Sequence, residues 1–165
     1  MDLNLKGKNT VILGGTRGIG RAIAETLAEE GANVAICARN ADQITAAVSA
    51  LQEKGVKATG GSVDVTDGAA LKSWITSAGE ELGGIDILVS NAGAMAQGND
   101  ETSWKQNFNL DVLGAVNAFE AAEPFLGKSA DEKGDAAFVI IASISAAVAD
   151  NAGSYGPIKA ALIHM

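Results

Sequence analysis

Apolar-rich runs recur along the chain at Thr10–Leu13, Asn33–Ala38, Lys57–Val63, Asp86–Ser90 and Ala136–Ala142. Between them apolar residues return every three or four positions, over Arg21–Glu30, Ala41–Lys54, Gly68–Leu82 and, interrupted by loops, Glu101–Leu126. In the first of these stretches Ala22, Ile23, Leu27 and Ala28 keep a helical period until Gly31. The runs predict strands and the periodic stretches predict helices. Strands that alternate with helices and are apolar on both faces predict an α/β fold, a doubly wound parallel sheet in a three-layer αβα arrangement. Right-handed crossovers in such a sheet collect ligands at the carboxyl ends of the strands. No linker or repeat divides the pattern, so residues 1–165 are expected to form one domain.

The residues that follow the strands are therefore the informative ones. After the first strand the chain reads Gly14-Gly-Thr16-Arg17-Gly18-Ile19-Gly20 and then turns helical. A strand that swings into a helix through glycines directs backbone N–H groups and the positive end of the helix dipole into one small volume, which suits a pyrophosphate. Side chains at Gly14, Gly18 or Gly20 are expected to obstruct the phosphates. Asp64-Val65 follows the third strand and Asn91-Ala92-Gly93 the fourth.

After the fifth strand come Ser143 and Ser145, then Tyr155-Gly-Pro-Ile-Lys159. Pro157 fits the first turn of a helix, where a missing N–H costs nothing. Tyr155 and Lys159 then share one helical face. A tyrosine works as a base near neutral pH only if its pKa falls from ~10 by about 2–3 units, and a nearby ammonium favours the phenolate. Such a pair suits proton transfer to a carbonyl or from an alcohol while hydride moves at the carbon.

Taken in order, Gly14-x-x-x-Gly18-Ile19-Gly20, Asp64-Val65, Ser90-Asn91-Ala92-Gly93, Ser143 and Tyr155-x-x-x-Lys159 resemble the successive motifs of the short-chain dehydrogenase/reductase family. The resemblance implies a Rossmann-type NAD(P)-dependent oxidoreductase acting on alcohol/carbonyl pairs. It implies that Tyr155 is the acid/base, that Lys159 lowers its pKa and holds the nicotinamide ribose, and that Ser143, or alternatively Ser145, orients the substrate oxygen. Asp64 and Val65 would contact adenine, and Asn91, Ala92 and Gly93 would line the cofactor's floor. A homodimer or homotetramer is implied in the same way, through the long helix after the fourth strand and the helix that starts at Tyr155.

The chain departs from the family pattern in places. Leu13 and Ser90 stand where threonine and asparagine are frequent. The fourth catalytic position, usually asparagine, aligns with Asp111; Asn109 is the nearest asparagine and needs a register shift of two. An aspartate accepts hydrogen bonds there but has no amide to donate. The second strand ends at Ala38-Arg39 without the aspartate typical of members that prefer NAD. Arg17 and Arg39 together favour a 2′-phosphate, hence NADPH over NADH.

Twelve basic and twenty acidic residues give a net charge of −8, which disfavours nucleic acid and anionic membranes as partners. The amino terminus lacks the apolar core of a signal peptide. Cys37 is the sole cysteine, which excludes an internal disulfide and fits a reducing cytoplasm. His164 is likewise alone, and no metal site is expected. The sequence stops at Met165, shortly after Lys159. Family members continue well beyond this point, so a fragment of a longer polypeptide is expected. An NADPH-dependent carbonyl reductase or alcohol dehydrogenase is the leading expectation. A nucleotide-binding protein without catalysis and an epimerase or dehydratase are the alternatives.

Overall fold

The computed structural model describes residues 3–148 and 153–165. Five parallel strands, β1 (Asn9–Leu13), β2 (Asn33–Ala38), β3 (Ala58–Ser62), β4 (Ile87–Ser90) and β5 (Ala137–Ile140), form one sheet in the order β3-β2-β1-β4-β5. The order reverses at β1, so the crevice beyond Leu13 lies between two diverging crossovers. The register sets Leu13 beside both Cys37 and Ser90. Ser90 in turn lies beside Ile140. The strand ends therefore open at one edge of the sheet.

Successive side chains on a strand point to opposite faces, and the core divides accordingly. Val11, Leu13, Ala35 and Cys37 pack against α3 (Gly68–Leu82) and α5 (Gly114–Lys133), through residues such as Leu71, Ile75, Ala118 and Ala122. Ile12, Val34, Ile36 and Val89 pack against α1 (Gly18–Glu29) and α2 (Ala41–Gln52), through Ala24, Ala28, Ala47 and Leu51. The three layers and the doubly wound sheet are as expected.

The expectation of strands apolar on both faces holds for β1 and β2 but not at the edges of the sheet. β3 and β5 alternate between covered and open positions. Each has only one neighbouring strand and a helix layer that reaches it partly. β3, β4 and β5 are also shorter than the apolar runs suggest. The helix after the glycine turn begins at Gly18, three residues before Arg21, because the turn itself enters the helix.

The expected loops within 101–126 are absent. Instead α4 (Glu101–Asn107), a π-helical segment (Phe108–Leu113) and α5 follow without a break as far as Lys133. The buried face of α5 explains this: Gly114, Ala115, Ala118, Ala122, Leu126 and Ser129 keep helical spacing, and their small side chains admit close packing. A Cβ at Gly114 would sit 2.6 Å from Val65 Cγ1. The chain closes with a 3₁₀ turn (Ile144–Ala146) and α6 (Tyr155–Ile163).

A buried polar group locks the far end of β4. Asp86 accepts from the Asn9 N–H at 2.7 Å, from the Lys133 ammonium at 2.6 Å and from the Ser129 hydroxyl. Burial pulls the Asp86 carboxyl upward, but these bonds outweigh it and hold it below the ordinary value. A carboxyl depressed in the native state contributes stability above the unfolded-state pKa and loses it as pH falls through the native one. Stability is therefore expected to drop from about pH 4 downward. Asp86→Asn is expected to cost roughly 1–3 kcal/mol at neutral pH and to flatten that acid loss. Urea midpoints at neutral and acid pH check both.

Candidate active site

Four elements converge beyond the carboxyl ends of β1, β2, β3 and β4 on a cleft of about 790 Å³. That volume lies within the ~300–1,000 Å³ usual for small-molecule sites. Gly14, Thr16 and Arg17 line it from the glycine turn, and Arg39, Asp64 and Val65 from the ends of β2 and β3. Asn91, Ala92 and Gly93 close it from β4. Nine of the residues singled out in the sequence are thus brought to one cleft.

The glycine turn is held from below. Asn91 Nδ2 donates to the carbonyls of Leu13 at 3.2 Å and Gly14 at 3.0 Å. Within the chain itself the three glycines meet different needs. Gly14 has φ +76° and lies against Ala92, with 3.2 Å from a would-be Cβ to Ala92 Cα. A Cβ at Gly20 would overlap the Gly14 carbonyl oxygen and the Asn91 amide. Only at Gly18, with φ +56°, does a Cβ meet nothing within 4 Å. Ile19 is 63% exposed beside it.

The start of α1 is also chemically distinct. Asn40, Asp67 and Asp100 cap α2, α3 and α4 by accepting from backbone N–H groups. Arg17, the residue before α1, makes no such side-chain bond, and the first turn carries no acid. Uncapped N–H groups, a positive dipole end and an adjacent arginine form a cradle suited to an anion. The residues present fit the phosphates of a dinucleotide.

Arg39 is exposed at the rim. Asp64, also exposed, accepts from the Thr66 hydroxyl at 2.7 Å and the Thr66 N–H at 2.9 Å. These bonds hold its carboxyl below the ordinary value, and nearby Arg39 adds to the effect. Cys37 lies under the cleft, and burial pushes its thiol up to about 12 despite a hydrogen bond with the Gly14 backbone. It behaves as a packing residue.

Asp111, Tyr155 and Lys159 form a second group beside the first. Lys159 Nζ lies 5.6 Å from the centre of the Tyr155 ring and 3.7 Å from Asp111 Oδ1. It donates to the Ile141 carbonyl at 3.2 Å. The Ala94 N–H donates to Asp111 Oδ1 at 3.0 Å. Gly93 joins the two groups: a Cβ there would lie 2.7 Å from Asp111 Oδ1 and 3.1 Å from Lys159 Nζ. Burial raises the Asp111 carboxyl, with the Lys159 charge opposing. The π-helical segment carries Asp111, whereas Asn109, two residues earlier, faces the cleft.

Ser143 precedes the 3₁₀ turn, and its Oγ accepts from the Ser145 N–H at 3.2 Å, which leaves its hydroxyl proton to donate elsewhere. A Cβ at Gly156 would lie 2.9 Å from the Ser145 carbonyl, so α6 begins directly against this turn. Pro157 sits in the first turn of α6 as expected.

The family model for the short chain dehydrogenases matches residues 8–165. The chain belongs to that family. It is 36% identical over 128 residues to isoepoxydon dehydrogenase of Penicillium expansum, covering 76% of this chain and 49% of the relative. A short chain dehydrogenase from Burkholderia cenocepacia, solved with NADP, is 34% identical with a TM-score of 0.88, covering 97% of this chain and 66% of the other. The NADH-dependent reductase A1-R′, solved with NAD, is 30% identical with a TM-score of 0.90, covering 98% and 71%. The chain spans about half the length of the curated relatives it matches. Among the described residues no helix is long and apolar enough to cross a membrane, and no group of three or more His, Cys, Asp or Glu is placed to hold a metal.

Other residues at the site carry no sequence signal of their own. Asn107 is fully buried. It donates to the Ala96 carbonyl at 2.8 Å and to Ser154 Oγ at 2.9 Å. Ser154 Oγ donates to the Gly98 carbonyl at 2.9 Å. This network ties the loop after β4 to the start of α6. Nothing local separates a buried asparagine from a solvated one. Gln43 and Thr66 also line the cleft; their places just beyond β2 and β3 are the one hint available.

Proposed function

We propose that residues 1–165 are a dinucleotide-binding domain of an NADPH-dependent oxidoreductase that interconverts a small carbonyl compound and its secondary alcohol. The observation that carries the reading is the uncapped start of α1 at one end of a cleft whose other wall leads, through Gly93, to Lys159. When bound, the nicotinamide gives hydride to, or takes it from, the substrate carbon. The chain's own part is binding and proton transfer. Gly14, Thr16, Arg17, Gly18, Ile19 and Gly20 receive the pyrophosphate; Asp64 and Val65 flank the adenine; Asn91, Ala92 and Gly93 support the nicotinamide half. Tyr155 exchanges a proton with the substrate oxygen, Ser143 donates a hydrogen bond to it, and Lys159 and Asp111 complete the polar wall.

Arg17 and Arg39 on the cleft favour the 2′-phosphate of NADPH, since guanidinium forms paired charge-assisted bonds to phosphate. NADPH is expected to bind more tightly than NADH, and Arg39→Ala to lower that preference roughly tenfold. Fluorescence titration with both cofactors checks this; tighter binding of NADH would refute it. Turnover on a panel of ketones by the full-length protein separates an oxidoreductase from a nucleotide-binding protein without catalysis, a reading that the buried Asp111 carboxylate favours.

Phe108, Leu113, Val116 and Phe119 leave a partly exposed apolar face on the long helix. That face supports assembly of a homodimer or homotetramer. The unpaired Cys37 thiol fits a reducing cytoplasm.

A further inference from the structure

Ser154 opens α6 one residue before Tyr155, yet its side chain does not cap the helix it opens. A serine at a helix start ordinarily spends its oxygen on an N–H of its own first turn. This one is turned away from α6. Its hydroxyl donates to the Gly98 carbonyl at 2.9 Å and accepts from Asn107 Nδ2 at 2.9 Å. Its N–H donates to the same carbonyl at 3.1 Å. Gly153, at φ +55°, comes so close to this loop that a Cβ would overlap the Gln97 carbonyl oxygen. The entry to α6 is therefore seated on the loop after β4 and on Asn107.

Asn107 is matched to that task. It ends α4 and is fully buried, as is Ser154. Its side-chain oxygen accepts from the Ala96 N–H at 3.3 Å, while Nδ2 donates to the Ala96 carbonyl at 2.8 Å and to Ser154. Both amide N–H groups and the oxygen are thus engaged, and the loop and α6 meet on one side chain. The loop is fastened to the same helical run at two further points. The Ala94 N–H donates to Asp111, and Trp104 Nε1 donates to Asn99 Oδ1 at 3.0 Å. A buried network satisfied in this way is rigid, and removing one member leaves its partners unpaired. The Ser154 carbonyl accepts the Ile158 N–H at 3.2 Å, so a shift of Ser154 carries the first turn of α6, and Tyr155, with it.

We propose that Asn107 is a positioning residue for Tyr155: through Ser154 it fixes where the first turn of α6 holds the phenol relative to the cleft. This rests on the reading of Tyr155 as the group that exchanges a proton with the substrate oxygen. Asn107 and Ser154 have no exposed surface to offer a ligand, so they act on geometry at the reacting centre and not on the hold over the dinucleotide. Proton transfer needs the phenol within hydrogen-bond reach of the substrate, and a misplacement of about 1 Å costs on the order of 100-fold in rate.

Ser154→Ala removes one hydroxyl from the network and Asn107→Val removes the amide; the first is the milder change and carries the test if the second fails to fold. The full-length protein is assayed for ketone reduction, with turnover counted per NADPH-binding site so that unfolded molecules drop out. Both variants are expected to lose at least ~10-fold in kcat while the Kd for NADPH stays within about twofold of the unmodified value. The double variant is expected to lose no more than Asn107→Val alone, because the two residues act through one contact. Hydrogen exchange on the same protein without cofactor reads the seat itself. In Ser154→Ala the Ile158 amide is expected to exchange at least ~10-fold faster, with the amides of β1 unchanged. An unaltered kcat in folded Ser154→Ala overturns the proposal, as does faster exchange spread evenly over the chain or none at all. An unmodified protein that reduces no ketone strikes the oxidoreductase reading instead, and exchange then decides the seat alone.

Discussion

Gly20→Ala is expected to destabilise the fold severely, whereas Gly18→Ala folds and loses dinucleotide binding. At Gly20 a methyl would overlap the Gly14 carbonyl oxygen and the Asn91 amide that clamps the turn. Neither can retreat cheaply, since the carbonyl is backbone and the amide already serves both Leu13 and Gly14. Overpacking of this kind costs about 3 kcal/mol, a large share of a typical domain's stability. At Gly18 the methyl meets open space, and the left-handed φ of +56° costs a non-glycine residue about 1–2 kcal/mol. The variant remains folded with its new methyl in the room left for phosphate. Its affinity for NADPH is expected to fall at least ~10-fold. Thermal melts and a cofactor titration on both variants separate the two roles.

Lys159→Met is expected to destabilise the chain by about 3 kcal/mol at neutral pH, because removing one member of a buried ion pair leaves the other uncompensated. Among the described residues Asp111 then keeps the Ala94 N–H as its one bond, and the Ile141 carbonyl loses the Lys159 ammonium. The sign of the pH dependence follows from Asp111. Its carboxyl is already raised by burial, and losing the opposing Lys159 charge raises it further. A carboxyl raised in the native state is harmless below the unfolded-state pKa and costs stability as pH climbs through the native one. The loss in Lys159→Met is therefore smaller at mildly acid pH than at pH 8 or so, since protonation relieves the buried charge. Adding Asp111→Asn is expected to recover part of it. Urea denaturation of the single and double variants across pH checks each point; a loss independent of pH would contradict the pairing.

The layers, the sheet and most of the cleft were legible in the sequence for a physical reason. Burial on one or both faces writes a period of 3.6 or 2 into the chain, and a doubly wound sheet places its ligand contacts just after its strands. Asp64 and Asn91 could be picked out on that basis alone, whereas Arg39 stood out only against the family pattern. What depends on contacts between distant segments left no such trace. The edge exposure of β3 and β5 depends on strand order, not on their own residues. The run from α4 through the π-helical segment to α5 holds because Gly114 packs on Val65, a partner nearly fifty positions earlier. Glycines in the turn share one spacing yet divide between packing at Gly20 and open room at Gly18. Asn107 and Ser154 read as ordinary polar residues until the fold brings them together.

The turn between β1 and α1 is the proposed resting place of a dinucleotide's phosphates, and the function of every other cleft residue follows from it. Calorimetric titration of NADPH into the unmodified chain and into Gly18→Ala, both checked for folding by circular dichroism, tests this directly. One saturable site, weakened at least ~10-fold in the folded variant, is the expected result. Equal binding by both proteins, or none by either, would contradict it.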